Sequence, residues 1–119
     1  MKLSIDNQIN PTLRFLGGVL PEFISASEII FLESDKNYTI FYLADGRKLL
    51  SARNLQVHES RLNELPHFFR TNRNSIVNIQ YVNAIKLEKV ESSVCLNTGK
   101  KIIISRRRLK EFKERINQI

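Results

Sequence analysis

The sequence predicts a mostly β domain, built from short antiparallel strands with two small helices. Apolar runs rich in β-branched and aromatic residues recur along the chain, and polar or Gly-containing turns separate them. Only two segments place apolar residues at helical spacing, each suited to a helix of about eleven to fourteen residues. Because strands and helices do not alternate regularly, a doubly wound parallel sheet is not expected.

The first strands are predicted from four apolar segments. Residues 14–24, RFLGGVLPEFI, mix apolar residues with glycine and proline, which indicates strand pieces interrupted by turns. IIFLES at 29–34 is typical of a buried strand, and YTIFYL at 38–43 is typical of a second one. The Asp-Gly pair at 45–46 supplies the positive φ angles of a tight turn, after which RKLLSA at 47–52 returns antiparallel.

One helix is predicted in the middle of the chain. Leu55, Leu62 and Leu65 recur at helical spacing. Asn54 is suited to cap the start of this helix, and Pro66 is suited to end it.

The C-terminal half predicts a second group of strands and a closing helix. YVNAIKLE at 81–88 and SVCLN at 93–97 are strand-like, and a Thr-Gly turn leads into KKIIIS at 100–105. Ser105 is suited to cap the helix that follows. Apolar residues fall on one face of that helix at Leu109, Phe112, Ile116 and Ile119.

The composition is that of a single folded domain without covalent staples. We expect residues 1–22 to form a short, partly ordered leader and residues 23–119 to form the domain. Cys95 is the one cysteine, so no internal disulfide can form. No apolar run is long enough to span a membrane, and the N-terminus lacks the apolar stretch of a signal peptide. These features predict a cytoplasmic protein.

The net charge of +7 is concentrated in the last part of the chain. Residues 1–28 carry a net charge of −1, and residues 29–69 are neutral overall. Residues 70–119 carry twelve basic and four acidic residues, a net charge of +8. This asymmetry points to a polyanionic partner, with a basic surface that only aids solubility as the alternative.

FFRTNRNSIVN, at residues 68–78, interrupts two core-forming segments with polar side chains. Arg70, Asn72 and Arg73 stand where a strand breaks, and Arg and Asn can form two-pronged hydrogen bonds with guanine and adenine edges. The alternative is a polar hairpin whose Asn side chains bond their own backbone.

Two further polar clusters are candidates for contacts with nucleic acid. In SDKNY, Lys36 and Asn37 could contact a phosphate or a base, although any short hairpin connection has a similar composition. SRRRLKEFK places Arg106, Arg107 and Arg108 in the first turn of the last helix, where the helix dipole disfavours positive charge. An approaching phosphate would remove this conflict. Screening by solvent is the alternative, at a cost of a few tenths of a kcal/mol per charge.

No residue pattern points to catalysis or to a cofactor. His58 falls inside the first predicted helix and His67 just beyond it, at a spacing that resembles no common metal site. Cys95 lies in an apolar strand pattern, which favours a core position over a nucleophile. A Gly-rich phosphate loop, a nucleophile elbow and a paired-carboxylate signature are missing from the sequence. We therefore expect a protein that is not an enzyme and needs no cofactor or metal.

The clusters, taken in order, resemble the LytTR DNA-binding domain of bacterial transcription regulators. The resemblance runs from about residue 23 to residue 116. It is carried by ASEIIFLESDKNYTIFYLADGRKLLSARNL, LPHFFRTNRNSIVN, VNAIKLEK and KKIIISRRRLKEF. The resemblance implies a compact, elongated fold of short antiparallel strands with small helices. It also implies that loops at one edge enter successive major grooves of DNA, while neighbouring residues grip the backbone.

The resemblance assigns DNA contacts to three parts of this chain: the loop after the first strong strand, the Arg-containing motif and the basic residue after the late Ser. The corresponding residues are Lys36, Asn37, Tyr38, Arg70, Asn72, Arg73, Asn74 and Arg106. Two departures from the family pattern concern the Arg-containing motif. Asn72 replaces the usual His, and Asn74 with Ser75 replaces the usual Ser-aromatic pair. Asn78 is expected to be structural and to bond nearby backbone.

The resemblance implies that double-stranded DNA is the partner, with direct repeats bound by two copies of the domain. A weak homodimer on DNA is left open. Because the leader is too short for the receiver domain that many family members carry, we expect a free-standing regulator or a fragment, and the initial Met favours the first. Two alternatives remain, an RNA-binding protein that stacks bases on exposed tyrosines and a protein-interaction module with a basic face. The candidate tyrosines are Tyr38, Tyr42 and Tyr81.

Overall fold

The computed structural model of the chain describes residues 12–15 and 22–118, whose strands form three antiparallel sheets. Strands β1 (Thr12–Phe15) and β2 (Glu22–Ser25) form a two-stranded sheet. β1 therefore lies within the predicted leader. The turns predicted between these strands, at residues 16–21, lie outside the described residues.

The second sheet has five strands in the order β5-β4-β3-β7-β6. Its strands are β3 (Ile29–Asp35), β4 (Tyr38–Leu43), β5 (Lys48–Ser51), β6 (Phe68–Asn72) and β7 (Ser75–Asn78). All neighbouring pairs are antiparallel, and the predicted strands and their hairpin connections are confirmed.

The third sheet has the order β10-β9-β8. Its strands are β8 (Val82–Lys86), β9 (Ser92–Leu96) and β10 (Lys101–Ile104). The helices are α1 (Leu55–Leu62) and α2 (Arg106–Gln118). The prediction of a mostly β fold with two helices is confirmed for the described residues, and neither helix is long and apolar enough to cross a membrane.

The five-stranded sheet is the middle layer of the molecule, and it is covered on both faces. One face packs against β2 and α1 through a core that includes Ile29, Leu32 and Leu62. The other face packs against the three-stranded sheet and α2 through a core that includes Ile30 and Phe31. Successive residues of a regular strand point to opposite faces. A register irregularity between Ile29 and Phe31 interrupts this alternation, so Ile30 and Phe31 both reach the second core, whereas Ile29 and Leu32 reach the first. Burial on both faces explains why this strand is an unbroken apolar run in the sequence.

One detail of the predicted β4–β5 turn is wrong. Gly46 has a φ of 93°, but Asp45 does not share a positive φ. The turn is longer than a two-residue hairpin, since the amide of Leu43 donates to the Arg47 carbonyl at 3.0 Å. Among the described residues, Lys36 is the one non-glycine with a positive φ, at 57°.

The two helices start differently. Asn54 Oδ1 accepts a hydrogen bond from the Val57 amide at 3.1 Å, which confirms the predicted cap of α1. α1 is only eight residues long and ends before Leu65, so it is shorter than predicted. The predicted cap of α2 is wrong, because the buried Ser105 hydroxyl has no hydrogen-bond partner.

Phe112 anchors α2 to the sheets. Its ring is fully buried and meets the Phe69 ring edge-on, with 5.3 Å between the ring centroids. Leu109 and Ile116 pack against the same core, as the predicted helix face requires. Ile119 lies outside the described residues.

A buried polar network joins α1 to β5. Arg61 Nη1 donates to His58 Nδ1 at 3.0 Å, because a guanidinium can only donate. His58 Nε2 must then carry the proton and donate to Ser51 Oγ at 2.8 Å. Burial, followed by the positive charges of Arg61 and Arg53, lowers the pKa of His58 to about 4. Burial also lowers the pKa of Arg61 to about 10, so its guanidinium stays charged at neutral pH.

We predict that acid weakens the fold through His58. Because the folded-state pKa lies below the ordinary 6.5, the unfolded chain binds more protons between these values. The contribution of His58 to the free energy of unfolding is therefore fully present above pH 6.5. It is lost as the pH falls towards 4, by about 3 kcal/mol in total. Urea unfolding between pH 7 and 4.5 measures the loss. His58→Gln should flatten this pH dependence, and an equal slope in the parent chain and in this variant would contradict the assignment.

Candidate nucleic-acid interface

Two polar turns meet at one end of the five-stranded sheet. The first joins β3 to β4 through Lys36 and Asn37, and the second joins β6 to β7 through Arg73 and Asn74. The backbone amide of Ser34 donates to the Asn74 carbonyl at 2.9 Å, and the Ser34 hydroxyl donates to Asn74 Oδ1 at 3.1 Å. Because β3 and β7 are antiparallel neighbours, these bonds continue their pairing beyond the strand ends.

The start of α2 is fastened to the same place. Asn72 Nδ2 donates to the Ile103 carbonyl at 2.7 Å, and the Ser105 amide donates to the Thr71 carbonyl at 2.9 Å. Arg106, the first residue of α2, therefore follows directly on a residue bonded to the end of β6. The structure thus brings the three predicted clusters together along one edge.

We call this surface the polar edge and define it by its exposed residues. These are Lys36, Asn37, Tyr38, Arg73, Asn74, Arg106 and Arg107. Four of the seven are cations, and the exposed Asp35 at the end of β3 adds one carboxylate next to Lys36. Within the described part of the chain, the structure gives none of these four cations an ion-pair partner. Their charges therefore remain available to an anion.

Arg70 is held by its own chain. Its Nη1 donates to a Glu59 carboxylate oxygen at 2.6 Å, its Nε to the Asn72 carbonyl at 2.9 Å and its Nη2 to the Arg73 carbonyl at 2.7 Å. The guanidinium is half-buried and closes the β6–β7 turn from inside. A planar fork of donors is well suited to bind two backbone carbonyls and a carboxylate at once.

Asn72 is also engaged within the fold. Its Oδ1 accepts from the Asn74 amide at 2.7 Å and from the Ser75 hydroxyl at 3.2 Å, while its amide group donates to the Ile103 carbonyl. Asn72 thereby joins the β6–β7 turn to β10. Asn78, predicted to be structural, bonds the Ile29 carbonyl at 2.9 Å and the Gln80 amide at 3.0 Å, which confirms that prediction.

The three arginines at the start of α2 differ in exposure. Arg106 and Arg107 are exposed, whereas Arg108 is half-buried and its Nη1 lies 3.5 Å from the Arg70 carbonyl. The first turn of α2 contains no acidic residue, so nothing in that turn offsets the unfavourable dipole. The hydroxyl of Ser105 lies unpaired beside this positive terminus.

Two residues of this region were not identified from the sequence. Ser34 links the two turns, and Glu59 reaches from α1 to hold Arg70. Neither has a local signal, because each acts on a residue that is distant in sequence. Among residues 12–15 and 22–118, no group of three acidic, His or Cys side chains could hold a metal ion.

Comparison with known proteins identifies the family. The sequence model of the LytTr DNA-binding domain family matches residues 22–117 of this chain. Among solved structures, a LytTr DNA-binding domain from Bacillus cereus superposes with a TM-score of 0.73. The two chains are 18% identical, and the match covers 88% of this chain and 95% of the other, which shows a shared fold. No curated protein sequence matches the chain.

The chain belongs to the LytTR family of DNA-binding domains. The resemblance stated from the sequence is therefore confirmed over nearly the whole matched length.

We predict that Asn72→Ala destabilises the domain. Loss of the carboxamide leaves the Asn74 amide and the Ile103 carbonyl without their partner, which should lower the free energy of unfolding by about 1–2 kcal/mol. Asn37→Ala, on the same edge, should change it by no more than about 0.5 kcal/mol. Urea unfolding of both variants provides the comparison, and equal losses would contradict the bracing role of Asn72.

Proposed function

We propose that this chain binds double-stranded DNA sequence-specifically, as part of a bacterial transcription regulator, through loops of the polar edge that enter the major groove. One observation carries the proposal: a series of hydrogen bonds from Ser34 through Asn74 and Asn72 to Ile103 unites the two polar turns and the start of α2 on one edge. Rigid presentation lowers the entropy cost of placing side chains against base edges.

Base reading is assigned to the exposed tips of the two turns. Arg73 is exposed, and its backbone carbonyl is held by Arg70, so its guanidinium is carried on a fixed base. A guanidinium in that position can form a two-pronged contact with guanine. The carboxamides of Asn37 and Asn74 are suited to adenine, although Asn74 Oδ1 also receives the Ser34 hydroxyl.

Backbone contacts are assigned to Lys36, Arg106 and Arg107. A phosphate next to the start of α2 would be favoured by the helix amides and by both guanidinium groups. It would also relieve the repulsion between the arginines and the helix dipole. Arg70, Asn72 and Arg108, which the sequence also suggested as contacts, are proposed to act by supporting the edge.

The tyrosines favour duplex DNA over single-stranded RNA. Tyr42 stacks on Phe31 with 4.2 Å between ring centroids, and the Tyr81 hydroxyl bonds the Ser27 carbonyl. Tyr38 is the exposed member of the three candidates, with 47% of its surface accessible. A stacking platform for successive bases needs more than one free ring.

The longest axis of the molecule, 44 Å, is an upper limit on the length of the polar edge. One copy can therefore cover little more than one helical turn of DNA, roughly 34–36 Å. We propose that two copies bind direct repeats, with at most weak contact between them. DNA as the partner would place the chain in the bacterial cytoplasm. Selection from random duplexes tests the proposal, and a retained pool without an enriched motif would overturn it.

We predict that Arg73→Ala weakens binding to the selected site by about 1–3 kcal/mol and relaxes preference at one base pair. Fluorescence anisotropy on the selected duplex and on single-base variants measures both effects. Lys113→Ala, which removes a charge from α2 away from the polar edge, serves as the control and should bind like the parent chain. An equal loss on selected and random duplexes would contradict the assignment of base reading to Arg73.

Arg107→Ala is expected to behave differently, because a phosphate contact carries no sequence information. Affinity should fall alike for selected and random duplexes, and the slope of log affinity against log salt should decrease by about one unit. Titrations at several salt concentrations provide the measurement. An unchanged slope would remove Arg107 from the DNA-contact surface.

Lys36 is predicted to lower the stability of the fold while contributing to DNA affinity. A positive φ costs an L-residue roughly 1–2 kcal/mol, which glycine avoids, although glycine loses more chain entropy on folding. Lys36→Gly should therefore raise the free energy of unfolding by up to about 1 kcal/mol while weakening DNA binding. Lys36→Ala keeps the strained backbone, so it should weaken binding without any gain in stability. Undiminished DNA affinity in both variants would contradict a contact by Lys36.

A further inference from the structure

A cleft lies between the five-stranded sheet and the β9–β10 turn, away from the polar edge. Its volume is about 380 Å³, within the roughly 300–1,000 Å³ of small-molecule sites. Ile30, Phe31 and Leu43 supply an apolar floor, and Tyr42 is stacked parallel to Phe31. The cleft opens where the core between the two sheets reaches the surface.

The rim of the cleft is positively charged. Arg47, Lys48 and Lys100 line it, and none of its lining residues is acidic. Lys48 Nζ lies 5.4 Å from the centre of the Tyr42 ring, so this cation is held over the aromatic floor. Arg47 is paired with Asp45 at 2.8 Å, which leaves Lys48 and Lys100 as the principal charges facing a ligand.

The cleft is separate from the proposed DNA-contact surface. Its floor residues on β3 and β4 lie at the opposite end of the hairpin from Lys36 and Asn37. Five or six residues of strand separate the two ends, a distance of roughly 17–20 Å at about 3.3 Å per residue. A ligand in the cleft would therefore leave the polar edge uncovered.

We propose that this cleft binds a small amphipathic anion, whose apolar body packs against the residues of the floor and whose carboxylate is attracted by the rim cations Lys48 and Lys100. An apolar floor accounts for the body of the ligand. Its charge is accounted for by Lys48 and Lys100, for which the described part of the chain shows no ion pair. A second apolar cleft, between β8 and α2, has a similar volume of about 350 Å³ but a single lining cation, Lys113. It therefore provides an internal comparison.

The test titrates the whole chain with 2-naphthoate and with its neutral counterpart 2-naphthamide, followed by ¹H–¹⁵N NMR. We expect saturable shifts for naphthoate at the amides of Phe31, Tyr42, Lys48 and Lys100, and binding of naphthamide at least about five-fold weaker. Equal binding of the two probes would overturn the proposal. The same holds if no saturable shift occurs at millimolar naphthoate, or if the shifts fall on the β8–α2 cleft.

Matched variants then separate the cleft from the polar edge. Lys48→Ala and Lys100→Ala should each weaken naphthoate binding about two- to five-fold, and Lys113→Ala should not change it. Both cleft variants should bind duplex DNA with unchanged affinity and salt slope. A salt slope reduced by about one unit in each would assign these lysines to a DNA-backbone surface and overturn the ligand site. Because naphthoate binding is measured without DNA, its failure and a failure of DNA recognition are distinguishable.

Discussion

Burial of β3 on both faces is the constraint on which the rest of the structure depends. Ile29 and Leu32 pack towards α1, while Ile30 and Phe31 pack towards the three-stranded sheet. A strand buried on both faces resists a slip by one residue, because side chains such as Ile29 and Phe31 would then move to the opposite core. This fixed register determines where β3 ends, and it therefore also sets the position of the Lys36–Asn37 turn relative to β7.

Polar side chains also fix the conformation of the β6–β7 turn, beyond the ends of the strands. Arg70 donates hydrogen bonds to two backbone carbonyls and to Glu59. Asn72 donates to one backbone carbonyl and accepts from one backbone amide. Such bonds hold a turn in one conformation and leave adjacent side chains exposed on a rigid base. One short motif therefore contains both supporting and exposed residues: Arg70 and Asn72 support the turn, whereas Arg73 projects from it.

The sequence predicted those features that depend on residues close together in the chain. The strands at 29–35 and 38–43 and the Asn54 cap follow from β-branched and aromatic composition and from capping chemistry. The three polar clusters were also recognisable, because Arg and Asn interrupt apolar runs there. Long-range partners were not recognisable: nothing near Arg70 indicates Glu59, and nothing near Ser105 indicates an unpaired hydroxyl. The division of the clusters into supporting and exposed residues depends on contacts that only the folded chain contains.

The polar edge has a consequence for how such domains diversify. Arg73, Arg106 and Arg107 are exposed, and the bonds that fasten their backbone involve other residues, including Ser34, Asn72 and Ser105. If these side chains read DNA as proposed, replacing an exposed tip would alter what is recognised without disturbing the architecture that presents it. A scaffold organised in this way can acquire new target preferences through few substitutions, and related regulators could diverge in their binding sites while their shape stays the same.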